Sequence, residues 1–367
     1  MRLPFLFFIL FYGTWSVTAG QDDRNDKKNT ETVSFRIRSI NFLKNNEYSG
    51  PLTEGYTLAG YFFQPELCYS PSEKLSLSLG THLLRYAGTE KFSVIRPLFS
   101  AAYNFTPGGT LILGTLMGSG SHRMFDPHFN RERIYTSWSE EGLQLNYSGV
   151  HIYNDTWLSW ENFIFRGDTV REVFTAGESF RYSSGLIDDF FRFEIPLQVK
   201  IKHLGGQISD YPEPVETFFN LAAGAKVSFH PASGRYGAAG FEYSLFISDE
   251  LTGRSTVGLS FGHAEWFRLS YEYRRICLEA GFWIARDFYA PDGNPLFGSV
   301  SDYRDNTIIS ERRLATASLG YTIMPESFFE LFIGADLYYD ARLKKLDSSA
   351  ALHLKFDRLF GRRHSER

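Results

Sequence analysis

Residues Phe191-Arg192-Phe193-Glu194-Ile195-Pro196-Leu197-Gln198-Val199-Lys200-Ile201-Lys202 alternate between a wholly apolar series and a mostly charged one. Successive side chains of a strand point to opposite faces, so this segment is an extended chain with one greasy and one charged side. The same alternation recurs: Phe329, Leu331, Ile333, Ala335, Leu337 and Tyr339 oppose Glu330, Gly334, Asp336 and Asp340, and Leu75, Leu77, Leu79 and Leu83 oppose Ser76, Ser78, Gly80 and His82. Soluble strands are commonly about 5 to 6 residues long, whereas a strand crossing a bilayer obliquely needs ~9 to 11. The patterned segments have the longer length. They predict an all-β fold, a transmembrane antiparallel up-and-down β-barrel of about 16 strands, with 14 as the alternative.

Taken in order, the strands are expected near 32–43, 56–69, 74–86, 91–105, 109–118, 140–151, 155–166, 172–183, 189–203, 216–229, 235–248, 254–263, 266–286, 307–323, 327–341 and 348–360. Within 266–286 the apolar phase shifts at Arg274 and Arg275, read as a bulge in one long strand. Turn chemistry marks the boundaries at Ser70-Pro71-Ser72, Thr106-Pro107-Gly108, Tyr153-Asn154-Asp155, His230-Pro231 and Met324-Pro325-Glu326. Long connections fall near 44–55, 118–139, 204–215 and 287–306, all on one side, as expected of a barrel with short periplasmic turns and longer outer loops.

Met1, Arg2 and Leu3 precede an apolar core from Phe5 to Tyr12 and the small residues Thr18, Ala19 and Gly20, the order of a secretory signal peptide. The domain plan is therefore a signal peptide at 1–20, a polar periplasmic leader at 21–31, a single outer-membrane barrel at 32–360 and a basic periplasmic tail at 361–367. Nothing later approaches the ~18 consecutive apolar residues of a membrane helix. Aromatics make up 17% of the chain, with 35 Phe and 21 Tyr. Yet the mean hydropathy is -0.24, which is what averaging lipid-facing and lumen-facing side chains produces. A formal net charge of -4 gives no footprint for nucleic acid. Only Cys68 and Cys277 occur, too few for a disulfide scaffold or a multi-cysteine metal site, and they are expected to stay unpaired.

The last strand carries Leu354, Phe356 and Phe360 on one parity, with His353, Lys355 and Asp357 between its apolar residues. This resembles the C-terminal assembly signal of outer-membrane barrels, extended here by Gly361 to Arg367. The mature chain resembles a porin-like outer-membrane barrel family of the Bacteroidota, on its Phe- and Tyr-rich strands and on Gly114-Thr115-Leu116-Met117-Gly118 followed by His122-Arg123. The resemblance implies a Gram-negative outer-membrane protein. Its expected partners are outer-membrane lipid and lipopolysaccharide, the barrel-assembly machinery, and a self-oligomer or another envelope complex, with no nucleic acid and no cofactor.

The segment Gly118 to Arg133 concentrates His122, Arg123, Asp126, His128, Arg131 and Arg133. It reads as a loop folded over or into the barrel mouth, its basic residues pairing with the wall or with lipopolysaccharide phosphates. Asp126 and His128 form an acid/base pair or metal ligands only if folding brings them together. The inferred lumen carries Arg36, Arg38, Arg192, Lys200, Lys202, Arg268 and Lys355 with Glu194, Glu272, Glu279 and Glu330, a mixture of signs without a single-sign selectivity ring. His82, His151, His263 and His353 are scattered singly, and Trp157, Trp160, Trp266 and Trp283 fit aromatic girdles. Asp188-Asp189 reads as a solvated periplasmic turn and not a catalytic pair. The expected function is a passive porin-like channel for small hydrophilic solutes and not an enzyme. The alternatives are a non-conducting structural or complex-forming barrel and, last, a surface hydrolase using the 118–133 loop.

Overall fold

The computed structural model describes residues 32–362 apart from 189, 207, 233–235 and 325–328. The signal peptide, the leader, positions 363–367 of the tail, Asp189 and the Pro325-Glu326 turn lie outside the described residues. Sixteen strands form one closed antiparallel barrel in sequence order. They are β1 (Thr32–Glu47), β2 (Tyr56–Ser70), β3 (Leu75–Tyr86), β4 (Val94–Thr106), β5 (Gly109–Thr115), β6 (Glu141–Ser148), β7 (Ile152–Asn162) and β8 (Glu172–Ser183). The second half comprises β9 (Phe191–Gly205), β10 (Glu216–Phe229), β11 (Ala238–Glu250), β12 (Phe261–Tyr273), β13 (Ile276–Arg286), β14 (Glu311–Ile323), β15 (Phe329–Asp340) and β16 (Lys345–Arg362). β1 closes against β16 from Val33 opposite Arg362 to Glu47 opposite Ser348, so no backbone edge is left unpaired.

The alternation of β9 sets its orientation. Ile195 and Leu197 are about 40% exposed on the outside while Gln198 and Lys200 are enclosed, the inverse of a soluble core. Both termini of the barrel lie at one end, and the connections after β1, β5, β9 and β13 lie at the other, called here the mouth.

Two strand assignments are corrected, and they compensate. Residues 254–263 are not a separate strand: 261–263 open β12, and Leu251–Ser260 is a loop, organised by the Glu250 carboxylate, which accepts from the backbone N–H groups of Thr252 and Arg254 at 3.0 and 3.1 Å. Residues 266–286 are two strands, because Arg274 and Arg275 are a tight turn with Arg274 at φ 54 and Tyr273 opposite Ile276. The phase shift was a hairpin and not a bulge. Removing one strand and adding the other leaves the 287–306 connection at the mouth. The turn assigned to Tyr153-Asn154-Asp155 falls instead between Ser148 and Ile152, and Asp155 lies within β7 facing the bore.

The mouth half of the bore has a packed core. Apolar inward residues there, Phe246, Trp266, Trp283 and Leu314, join Phe125, Phe288, Leu296 and Phe297 of two inserted connections. Ile40, Phe42, Phe62 and Leu84 pack on Ile134 and Tyr135. Trp157, Trp266 and Trp283 are therefore interior residues rather than girdle residues, and only Trp160 of that set is exposed. Cys68 and Cys277 are free.

Candidate functional site

Two chain segments build the mouth. The β5–β6 connection turns inward at Gly118, whose φ of 100 and contact with the Trp138 indole leave no room for a Cβ. It continues through the short helix α1 (Arg133–Thr136) and returns with Ser119 N–H donating to the Trp138 carbonyl at 3.1 Å. The β13–β14 connection is held by Arg312 on β14. Its guanidinium donates to Asp340 at 2.9 Å and to the carbonyls of Leu296, at 2.9 Å, and Gly298. The two segments are stitched together: Asn130 N–H donates to the Asp292 carbonyl at 2.7 Å and Asn294 Nδ2 donates to Asp126 at 2.7 Å.

Charged groups buried between these segments and the wall are matched in pairs, as a low-dielectric interior demands. His122 is enclosed between Glu140 (Nε2, 2.8 Å) and Asp155 (Nδ1, 2.7 Å) and stacks on Trp157 with 3.7 Å between ring centroids. Burial acts to lower its pKa, but the two carboxylates outweigh that and raise it to about 9, so it is an imidazolium at neutral pH. Asp292 receives Lys200 at 3.1 Å, Lys202 at 3.0 Å and Arg133 at 3.4 Å. Burial opposes its charge, and these cations hold its carboxyl well below the usual carboxylate range. Arg133 also reaches Glu140 at 3.7 Å and lies over the Phe129 ring, linking the two clusters.

Above this layer opens a cleft of about 300 Å³ between the β1–β2, β5–β6 and β13–β14 connections, lined by Tyr48, Thr53, Tyr56, Asn130, Glu132, Arg133, Tyr289, Asp292 and Asp302 among others. Glu132 is its best-organised group. Its carboxylate accepts from Asn46 Nδ2 at 3.0 and 3.2 Å and from the Tyr56 hydroxyl, with Lys44 Nζ at 3.7 Å. Lys44 and Asn46 are inward residues of β1, so the rigid wall fixes the orientation of a carboxylate carried by a loop. A carboxylate so held can take a proton from water, and an arginine lining the same cleft, Arg133, can stabilise developing negative charge.

The residues singled out in the 118–133 loop do enter the bore, but they do not form one centre. His122 and Arg133 belong to the ion-pair layer. Arg123, at φ 53, lies 3.8 Å over the Tyr153 ring. Asp126 receives Asn294 and the Arg131 N–H, with the Arg131 guanidinium at 3.6 Å. His128 is fully enclosed, stacked on Phe288 and edge-on to Phe246, and burial followed by the charge of Lys200 drives its pKa well below the ordinary value. Asp126 and His128 are thus not an acid/base pair, and no group of three or more metal-ligating side chains exists among the described residues.

Arg192, Glu194, Lys200, Lys202, Arg268, Glu272 and Glu330 lie on inward faces, and several are paired: Lys226 with Glu194 at 3.9 Å, Arg268 with Glu242 at 2.7 Å. Leu354, Phe356 and Phe360 lie on the outward parity of β16. Sequence reasoning missed Asn46, Tyr56, Glu132, Glu140, Asp155 and Asp292. The adjacent inward cations Lys200 and Lys202 were the available signal that a buried anion must come from elsewhere in the chain.

The fold and the filled mouth define an outer-membrane-type barrel with an outward-opening cleft. Solved structures with this architecture include OpdL of Pseudomonas aeruginosa (12% identity, TM-score 0.51, 90% of this chain and 99% of that one). Another is the loop L8 deletion mutant of OmpT from Vibrio cholerae (11% identity, TM-score 0.50, 90% and 100%). At such identities the likeness is one of fold alone. No curated protein matches the chain. The chain belongs to the Lipid A 3'-O-deacylase-type family, which it matches over residues 25–362. That membership overturns two expectations, a passive porin-like channel and a protein that is not an enzyme. At the mouth, the β5–β6 and β13–β14 connections enter the bore and pack against apolar inward residues of the wall.

Proposed function

We propose that the protein is an outer-membrane hydrolase that removes an ester-linked acyl chain from lipid A, working in the mouth cleft. The observation that carries this is the family match across the whole barrel. Residues 1–20 direct export, the termini face the periplasm, and the mouth opens at the outer leaflet, where lipid A resides.

The cleft residues supply the needed chemistry in balance. The Glu132 carboxylate removes a proton from a water molecule, whose oxygen bonds to the acyl carbon of the ester. Arg133, which lines the cleft, stabilises the negative charge that develops on the carbonyl oxygen, and the Tyr56 hydroxyl, the Asn46 amide and Lys44 hold the base in place. The C–O ester bond then breaks, the proton passes to the sugar oxygen, and a fatty acid leaves. Glu132→Gln is expected to lower the rate of fatty-acid release by about 10²-fold or more, as loss of a general base does. Tyr56→Phe is expected to cost about tenfold through misorientation of Glu132. Mass spectrometry of lipid A incubated with folded protein reads both, and Glu132→Gln acting at the wild-type rate would remove Glu132 from the chemistry.

A further inference from the structure

The outside of the barrel beside the cleft carries a feature that ester hydrolysis does not use. At the mouth end of β13 and β14 the outward residues include Arg286, 68% exposed, and Arg313, opposite Ile284 in the sheet register. The Arg313 carbonyl accepts the Ala341 N–H at 2.9 Å, which brings the turn bearing Arg342 and Lys344 alongside. Within this patch four exposed cations face two carboxylates, Asp287 at 4.0 Å from Arg286 and Glu311 paired with Arg342. Arg313 and Lys344 have no ion-pair partner among the described residues. The matching outward positions near the mouth on β6 to β10 are Glu141, Trp160, Phe174, His203 and Thr217, with no Arg or Lys among them. At these strand positions the rim of β13 and β14 carries two arginines where that of β6 to β10 carries none.

Directly below that sector the outward surface is apolar: Phe282, Ile284, Tyr339 and Leu346 are each exposed by about 40% or more. An anion drawn to the patch thus lies over greasy surface, which selects a headgroup attached to acyl chains over a free ion. The patch also shares a wall with the cleft. Arg312, the inward neighbour of Arg313, grips the Leu296 and Gly298 carbonyls of the segment that lines it.

We propose that Arg286, Arg313, Arg342 and Lys344 form a docking site for a phosphate group of lipid A, holding the glycolipid against the β13–β16 wall beside the cleft. The identity of the glycolipid rests on the deacylase assignment; the phosphate preference rests on the patch itself. Arginine suits this role because its planar fork binds phosphate oxygens in pairs.

The test is a binding measurement that needs no turnover. Folded wild-type protein in nanodiscs is titrated with lipid A and with lipid A stripped of its phosphates, and bound lipid is counted by native mass spectrometry. The expected result is a preference of about tenfold or more for the phosphorylated form, weakened by salt. In Arg286→Ala/Arg313→Ala the preference disappears, and in Arg286→Lys/Arg313→Lys most of it returns. Equal wild-type affinity for the two lipids, an unchanged preference in the alanine variant, or displacement by phosphatidylglycerol as effective as by lipid A would each overturn the assignment. If phosphorylated lipid A binds in this way but never loses an acyl chain, the deacylase assignment fails and the docking site stands.

Discussion

Raising the pH should release the β5–β6 connection from the bore before it affects the barrel. His122 is fully enclosed between Glu140 and Asp155, and its pKa stands at about 9 against an ordinary 6.5. A group whose folded-state pKa is raised stabilises the fold fully below the unfolded value, and that contribution is lost as pH rises through the folded value. The window is therefore 6.5 to about 9. At about 1.4 kcal/mol for each unit, the contribution is on the order of 3 kcal/mol, or roughly a hundredfold in the opening equilibrium. Hydrogen exchange of peptides from 116–140, corrected for the intrinsic pH dependence of exchange, measures it. Protection should fall about a hundredfold between pH 6.5 and 10 while the strands of the β1–β16 seam keep theirs. In His122→Asn the segment should be poorly protected already at pH 6.5, with little further change. Constant wild-type protection over that range, or the same fall in the variant, would refute the assigned role of His122.

Asp292→Asn should loosen the same plug by another route. It leaves Lys200 enclosed without its anion while Lys202 keeps Glu161 at 2.6 Å, and losing one partner of a buried pair costs about 3 to 5 kcal/mol. A lower urea midpoint for exposure of the 287–306 segment is expected, and an unchanged midpoint would count against the cluster as a brace. In planar bilayers the folded wild-type protein should show no steady conductance, and deletion of 118–139 should produce it. Porin-level conductance from wild type would contradict the filled mouth.

The wall of the barrel was legible in the sequence because the side-chain period of a strand is two and lipid enforces it on every outward position. Alternation over 191–202 gives the inward faces of Lys200 and Lys202 directly. It fails where the inward side is also apolar, since Trp157, Trp266 and Trp283 read as lipid-facing until the inserted connections supply the residues they pack against. Alternation also cannot separate a bulge from a two-residue turn at Arg274 and Arg275, as both shift the phase by one step. The site was legible only in part. His122 and Arg133 stood out by density of charge, but Glu132 acquires meaning only through Asn46 and Tyr56, which are distant in sequence and brought near by the β1–β2 hairpin. Asp292 sits in a Pro- and Gly-rich connection whose path no periodicity dictates.

The most direct test of the central claim is tandem mass spectrometry of lipid A after incubation with the folded protein, resolving which chain is lost and from which linkage. Loss of one ester-linked chain, with amide-linked chains intact and free fatty acid recovered in equal amount, is the predicted result. Lipid A left whole by correctly folded protein across pH 6 to about 8, where the His122 imidazolium holds the β5–β6 connection in the bore, would contradict it.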